Sequence, residues 1–421
     1  MNDVIKRLLL LIPSINNYVD HVRKIRTELS AKQVQIDKLM DLIEKSRSAG
    51  LFGSAQDFLT ERLLAHPVTI PCPEIKLASQ EAQDKGNRIH VADRLIRSYH
   101  RALEEEKRST LQREGEDLWT GLIRNELPEL MEIIEHKDPE RLAKYLMNFG
   151  QSFVWYGGIT TCVDGYNRNI EPSQVALTYF DKLACLAEFL GILRVENPES
   201  GPWGENLHVD ANSLVNKIEK ELGFDISSPM GIIHTDGLLT ERGIFHYRHI
   251  NSLYMAARLG KLNQAKDPVC EFGGGLGMTA MYARRMGQKN YTILDLPITC
   301  LLAGHYLIHA IGEEHVTLYG ETLSENSIKI LPYWECLNIP SKYMGMTINQ
   351  DSLPEISDNL IVEYLKQINR ITKNYFLSIN HECSHPRTVF NFVQKSAGYE
   401  QIYRSKCWVR EGYVEEAFRI L

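Results

Sequence analysis

The sequence predicts an α/β protein, in which a Rossmann-like domain with a mostly parallel, seven-stranded sheet follows an all-helical N-terminal region. Three observations lead there. From Pro268 onward, short apolar strands alternate with helical stretches, the pattern of a parallel sheet covered by helices. Within that part, Asp267–Arg285 (DPVCEFGGGLGMTAMYARR) passes from an apolar strand through four glycines into a helix. Upstream, the stretch 79–195 is charged, follows helical periodicity and carries no strand-like alternation.

At 421 residues the chain exceeds one typical domain. Its breaks divide it into a long helix over 1–50, a helical domain over 51–230 and a ligand-binding catalytic domain over 231–421. A hydrophobic share of 43% is enough for sizeable cores, and the net charge of −7 argues against a general nucleic-acid or anionic-membrane binder. The eight cysteines are scattered without a CxxC pair, which points to a reducing, cytoplasmic setting rather than a zinc ribbon or disulfide framework. The apolar run Leu8–Ile12 is too short for a signal-peptide core or a membrane span.

After Pro13, Ile15, Val22, Leu29, Ile36 and Ile43 repeat every seven residues, as one stripe on a helix does. The companion heptad position is poorer, with Arg26 and Gln33 in it, so a homodimeric coiled coil and a helix lying on its own protein both stay open. His66–Pro73 reads as extended linker. Helices are expected within 79–124, over Leu130–Phe149 and over Ser173–Leu193. Between the last two, Phe153–Asn169 (FVWYGGITTCVDGYNRN) clusters aromatics, glycines and Asp164. Tyr156 and Asp164 suit a polar small-molecule substrate, and the segment equally suits a packed helix–loop junction.

The site is expected around Glu271–Gly277. Val269–Phe272 reads as a buried strand, and Gly273, Gly274, Gly275 and Gly277 let a ligand approach bare backbone before a helix begins. Glu271 sits where its carboxylate can face the ammonium of S-adenosylmethionine (SAM). Asp295 ends the next strand, YTILD, where it can take two ribose hydroxyls. Gly275–Ala280 also satisfies the G-x-G-x-x-A fingerprint of a nicotinamide or flavin enzyme, but Glu271 would repel a pyrophosphate.

These residues resemble the class I SAM-dependent O-methyltransferases over about residues 255–421. Glu271–Gly277 is similar to their first motif and Asp295–Pro297 to the D-L-P after the second strand. The resemblance implies that Leu296, Glu321 (in HVTLYGETL) and Asn349 join the cofactor site, with Glu321 near the adenine. It further implies a fourth strand within Tyr343–Ile356, a fifth within Tyr375–Glu382, and a closing antiparallel pair at Tyr399–Val409 and Tyr413–Leu421. A helical N-terminal part would supply dimer contacts and a substrate lid. The combination N-Q-D-S-L-P-E and S-I-N-H-E is similar to the sugar O-methyltransferase family, which implies a sugar-like acceptor. The catalytic histidine of plant-type relatives is missing, since Asn349, Gln350 and Asp351 stand in its place.

A hydroxyl acceptor needs its proton removed, so a base is expected beside it. His381 is the first candidate and Asp351 and Glu355 follow. Glu382 is expected on the acceptor side, and Arg248 and His249 against either the acceptor or the SAM carboxylate, although exposed helix charges would explain the last two as well. His381 and His385 have a metal-like spacing, yet they follow a strand and precede Pro386. A divalent metal, with Asp351 and Glu382 as oxygen ligands, is therefore the lesser expectation. The expected activity is SAM-dependent O-methylation of a sugar or sugar-like small molecule. N- or C-methylation of another metabolite, a nicotinamide enzyme and a non-catalytic scaffold are the rivals.

Overall fold

The structure is a computed structural model describing residues 17, 20–30, 32–33, 36, 85–111, 113, 118–149, 172–197, 199, 204–229, 232–233, 237–382 and 388–421. The chain divides into two compact units, Met1–Glu61 and Arg62–Leu421. In the first, residues 20–30 are helical, and Leu29 and Ile36 of the heptad stripe are exposed. Ile15 and Ile43, the linker His66–Pro73, and Tyr156 and Asp164 lie outside the described residues. Among the described residues, no helix is long and apolar enough to cross a membrane.

The second unit opens with helices. These are α1 (Lys85–Glu106), α2 (Leu118–Glu126), α3 (Pro128–Glu135), α4 (Pro139–Met147), α5 (Pro172–Phe189) and α6 (Ala211–Leu222). The single helix expected over Leu130–Phe149 is two. Lys137 adopts a left-handed φ of 53°, and Asp138 caps a new helix that has Pro139 at its first position. A short hairpin of β1 (Leu238–Thr240) and β2 (Gly243–Phe245) leads into α7 (Tyr247–Leu262).

There follow β3 (Val269–Phe272), α8 (Met278–Arg285), β4 (Tyr291–Asp295), α9 (Pro297–Ile311), β5 (Val316–Leu318), β6 (Ile328–Pro332), β7 (Met344–Gln350), α10 (Asp358–Ile371), β8 (Thr372–His381), α11 (Val389–Gln394), β9 (Tyr399–Lys406) and β10 (Tyr413–Ile420). The sheet has eight strands, not the expected seven, in the order β5-β6-β4-β3-β7-β8-β10-β9. The HVTLYGETL segment forms the short edge strand β5, and β6 inserts between it and β4. Pairing is parallel from β5 to β8, while β10 runs antiparallel between β8 and β9.

The central strands are buried on both faces, which is why they read as near-continuous apolar runs. Cys270, Phe272, Leu294, Phe376 and Phe418 pack with Leu365, Ile368 and Ile371 of α10 on one face. Side chains alternate along a strand, so Glu271 and Asp295 point to the opposite face. There Tyr254 and Arg258 of α7 bond Glu415 of β10. The exposed edge strand β9 carries Glu400, Arg404 and Lys406, charges that discourage pairing with another chain. Ile368→Ala, which empties a fully buried site under the sheet, is expected to cost about 2–5 kcal/mol in urea unfolding.

Candidate functional site

The site begins with a bend in which Gly273 and Gly277 have no room for a side chain. Gly273 has φ +75°, and a Cβ there would stand 2.1 Å from Ser352 Oγ; Gly277 has φ +80°, and its Cβ would stand 2.6 Å from Leu307 Cδ1. The bend therefore lies tight against β7 on one side and α9 on the other, and α8 starts directly after it. Around it opens a cavity whose non-atom space, open mouth included, is about 1210 Å³. Glu271, Gly273, Gly275, Asp295 and Leu296 line it, as do Arg113, Trp119, Arg248, Asn251, Gln350, Asp351 and Glu355.

The two acids are held differently. Asp295 Oδ2 accepts the Gly275 N–H at 3.0 Å and its Oδ1 the Leu296 N–H at 2.7 Å. Burial pushes its carboxyl up to about 6, and those N–H groups limit the rise. Glu271 is 2% exposed and accepts only the Tyr291 hydroxyl, at 2.8 Å. Burial, with Asp295 adding to it, pushes Glu271 up to about 8. A cationic ligand group beside Glu271 would release that proton and be bound by the charge left behind.

A second cluster sits where β7 ends. Asp351 adopts a left-handed φ of 58°, an unusual conformation for a residue with a side chain. Its Oδ2 accepts Arg248 Nη1 at 2.9 Å and Arg410 Nη2 at 2.6 Å, while Tyr413 donates to Oδ1. The Arg410 guanidinium also stacks 3.6 Å from the Tyr413 ring centroid. Lys182 of α5 pairs with Glu411 and reaches the Val409 carbonyl, so the turn bearing Arg410 is tied down. Burial alone would raise the Asp351 carboxyl, but Arg410 and Arg248 outweigh it and hold it well below the usual range. Glu355 answers oppositely: burial, then the Asp351 charge, push it up to about 8. Its Oε2 is buried without a hydrogen-bond partner.

Asp351, Glu355 and His381 bring candidate ligand atoms within 4.8 Å of one another, the one such group among the described residues. The donor set fits a divalent metal poorly. Asp351 is already engaged by two guanidiniums and a phenol, and those fixed positive charges would repel a cation. The arrangement suits proton handling instead.

Several residues singled out in the sequence lie off the cavity. His249 is 1% exposed and turned onto the Tyr282 hydroxyl, because neighbours on a helix point about 100° apart and Arg248 takes the cavity side. Burial pushes the His249 imidazole down to about 3. Glu321 pairs with Arg94 of α1, away from the cavity. Asn349 is buried and bonds the Phe272 carbonyl and Asn380, stitching β3, β7 and β8. Glu382 pairs with Arg404 of β9. His381 ends β8 with its ring 5.5 Å from that of Tyr413 and a ring nitrogen within 4.8 Å of carboxylate oxygens of Asp351 and Glu355, but it is not among the residues lining the cavity. Arg410, Tyr413, Asn251, Gln350 and Trp119 were not singled out. Asn251 had a signal, as a polar residue one turn beyond Tyr247 and Arg248; the others had none in local spacing.

No protein-family model and no curated protein matches the sequence. Solved structures that it resembles include the mitomycin 7-O-methyltransferase MmcR, 14% identical over 41% of this chain and 57% of that one, with a TM-score of 0.31. The pyocyanin biosynthetic protein PhzM is 10% identical over 41% and 56%, with a TM-score of 0.32. The PH0226 protein from Pyrococcus horikoshii OT3 is 12% identical over 42% and 91%, with a TM-score of 0.33.

Glu271 also makes stability depend on pH. Its folded carboxyl is raised to about 8 from an ordinary 4.5, so its contribution is complete below about 4.5 and is lost as pH rises through about 8. The ligand-free protein should therefore lose thermal stability between those values. Glu271→Gln, measured by melts across the same range, should flatten that decline.

Proposed function

We propose that this chain is a SAM-dependent O-methyltransferase acting on a hydroxyl of a sugar or sugar-like small molecule. The observation that carries the reading is the pairing of Glu271 and Asp295 on adjacent strand ends, one on each side of the bend at Gly273–Gly277, in a single cavity. Glu271 is suited to an amino acid's ammonium and Asp295 to ribose hydroxyls. The fit is supported by Asn251, whose amide nitrogen and oxygen are both buried at this cavity without partners. The closing antiparallel hairpin of β9 and β10 is what the sequence resemblance implies and what a dinucleotide-binding domain lacks.

Bound there, SAM supplies an electrophilic methyl group on a good leaving group. The chain's own contribution is alignment and removal of the acceptor proton. We assign the base to Glu355 over His381, because Glu355 is among the residues that line the cavity and His381 is not. Burial first, and then the Asp351 carboxylate, raise the basicity of Glu355 against the opposing charges of Arg248 and Arg410. A carboxylate poised near 8 accepts a proton far better than an ordinary one. The polar lining of Arg248, Asn251, Ser252 and Gln350 supports a hydroxyl-rich acceptor.

Calorimetry with SAM and S-adenosylhomocysteine tests the reading: both should bind, and loss of binding in Asp295→Ala should accompany loss of activity. Absence of binding at millimolar ligand would overturn it. Glu355→Gln should lower kcat by about 10²–10⁴ while cofactor affinity persists. The wild-type rate should climb with pH toward about 8, as Glu355 gives up its proton. A larger loss in His381→Ala than in Glu355→Gln would move the base to His381.

A further inference from the structure

The strand tips meet a ligand in a fixed order. Glu271 stands at the end of β3 and Asp295 at the end of the neighbouring β4, and the next tip is that of β6, whose Pro332 pairs with Asp295. A molecule with an amino acid end at Glu271 and a ribose at Asp295 is therefore aimed past Asp295 toward β6. The acid that the sequence resemblance implies near the adenine is engaged elsewhere, since Glu321 pairs with Arg94 of α1. Apolar and aromatic side chains line the cavity instead: Leu296 directly after Asp295, and Ile356, Leu360 and Tyr364 from the side of α10. The Tyr364 ring lies 6.5 Å from that of Tyr333, the residue that follows β6.

The helical part of the chain reaches the same corner. The Tyr333 hydroxyl donates to Glu106, the last residue of α1, at 3.2 Å, and it also meets the backbone of Arg113. Arg113 Nη2 in turn donates to Thr120 Oγ1 in the first turn of α2, at 3.0 Å. These contacts bring the start of α2 to the tip of β6. Trp119, the neighbour of Thr120, is half-buried and lines the cavity. An indole in the company of a tyrosine and three aliphatic side chains suits a flat aromatic group, because a base offers a π-face to any ring.

We propose that Trp119 supplies the ring on which the cofactor's base stacks, so that the site for SAM is completed by the helical part of the chain and not by the sheet domain alone. The inference deepens the methyltransferase reading and rests on it, because the place of the base follows from a ribose at Asp295. Stacking gives affinity without reading the edge of the base, which is the role left open when Glu321 turns to Arg94.

The test uses the full chain and S-adenosylhomocysteine, followed by calorimetry and by tryptophan fluorescence. Trp119→Ala should lower the affinity by about tenfold or more, and Trp119→Phe, which keeps a ring, should stay within about threefold of the wild type. Trp119 is one of five tryptophans, and binding should quench the emission of the wild type far more than that of Trp119→Phe. S-ribosylhomocysteine, which lacks the base, separates stacking from a general loss of structure: as a competitor it should bind the wild type and Trp119→Ala equally. A smaller loss in Trp119→Ala, an equal loss in Trp119→Phe, undiminished quenching in Trp119→Phe, or an equal loss for the baseless probe each overturns the inference and leaves the methyltransferase reading standing. So does a Trp119→Ala enzyme that changes only the KM of the acceptor, which would place Trp119 on the acceptor. Failure of S-adenosylhomocysteine to bind the wild type would remove both.

Discussion

Two carboxyl groups, Glu271 buried and Asp295 half-buried, stand at the ends of adjacent parallel strands, and the site is arranged around the cost of putting them there. Asp295 meets that cost with backbone N–H groups from the glycine bend and from Leu296. Glu271 meets it only in part, through Tyr291, and otherwise by keeping its proton. The bend is close enough to help because Gly273, Gly274 and Gly275 carry no side chain, with Ser352 after β7 and Leu307 of α9 packed against it at Gly273 and Gly277. The eight-stranded sheet, its two helical faces and the glycines thus serve one electrostatic requirement. A ligand that brings a positive charge to Glu271 and hydroxyls to Asp295 relieves it.

The same logic recurs at the end of β7 with the signs reversed. There the acid is over-satisfied: Asp351 holds its charge under two guanidiniums and a phenol, and the strain of its left-handed backbone is offset by those contacts. Its neighbour Glu355 feels both the charge and the burial and becomes a weak acid. Two carboxyls a few residues apart therefore end with opposite protonation at neutral pH, the condition under which one orients and the other exchanges a proton.

What the sequence disclosed and what it hid follow from how far apart the partners lie. The bend, Glu271 and Asp295 were readable because strand, glycines and helix are consecutive, and because the next parallel strand brings its tip to the same edge. The final antiparallel pair was expected from the family resemblance alone, since β9 is a mostly polar, exposed run with little pattern of its own. Arg410 was not, because it reaches Asp351 only once β10 has inserted beside β8 and carried the preceding turn over the cavity. Glu321 looked like a ligand acid until α1, more than 200 residues upstream, laid Arg94 on it. Arg248 and His249 were indistinguishable as letters, and the turn of α7 separates them into a cavity residue and a core residue. The extra strand β6 escaped because a short buried run between loops has no periodicity to announce it.

The tie between Lys182 and Glu411 links the helical part of the unit to the cluster around Asp351. Lys182 belongs to α5, far upstream in the chain, while the turn it grips holds Arg410 against Asp351, which in turn sets the acidity of Glu355. A displacement of α5 is thereby transmitted as a change in local field rather than as a blocked passage. If Glu355 is the base proposed, α5 and the Asp351–Glu355 corner act on one another through this tie.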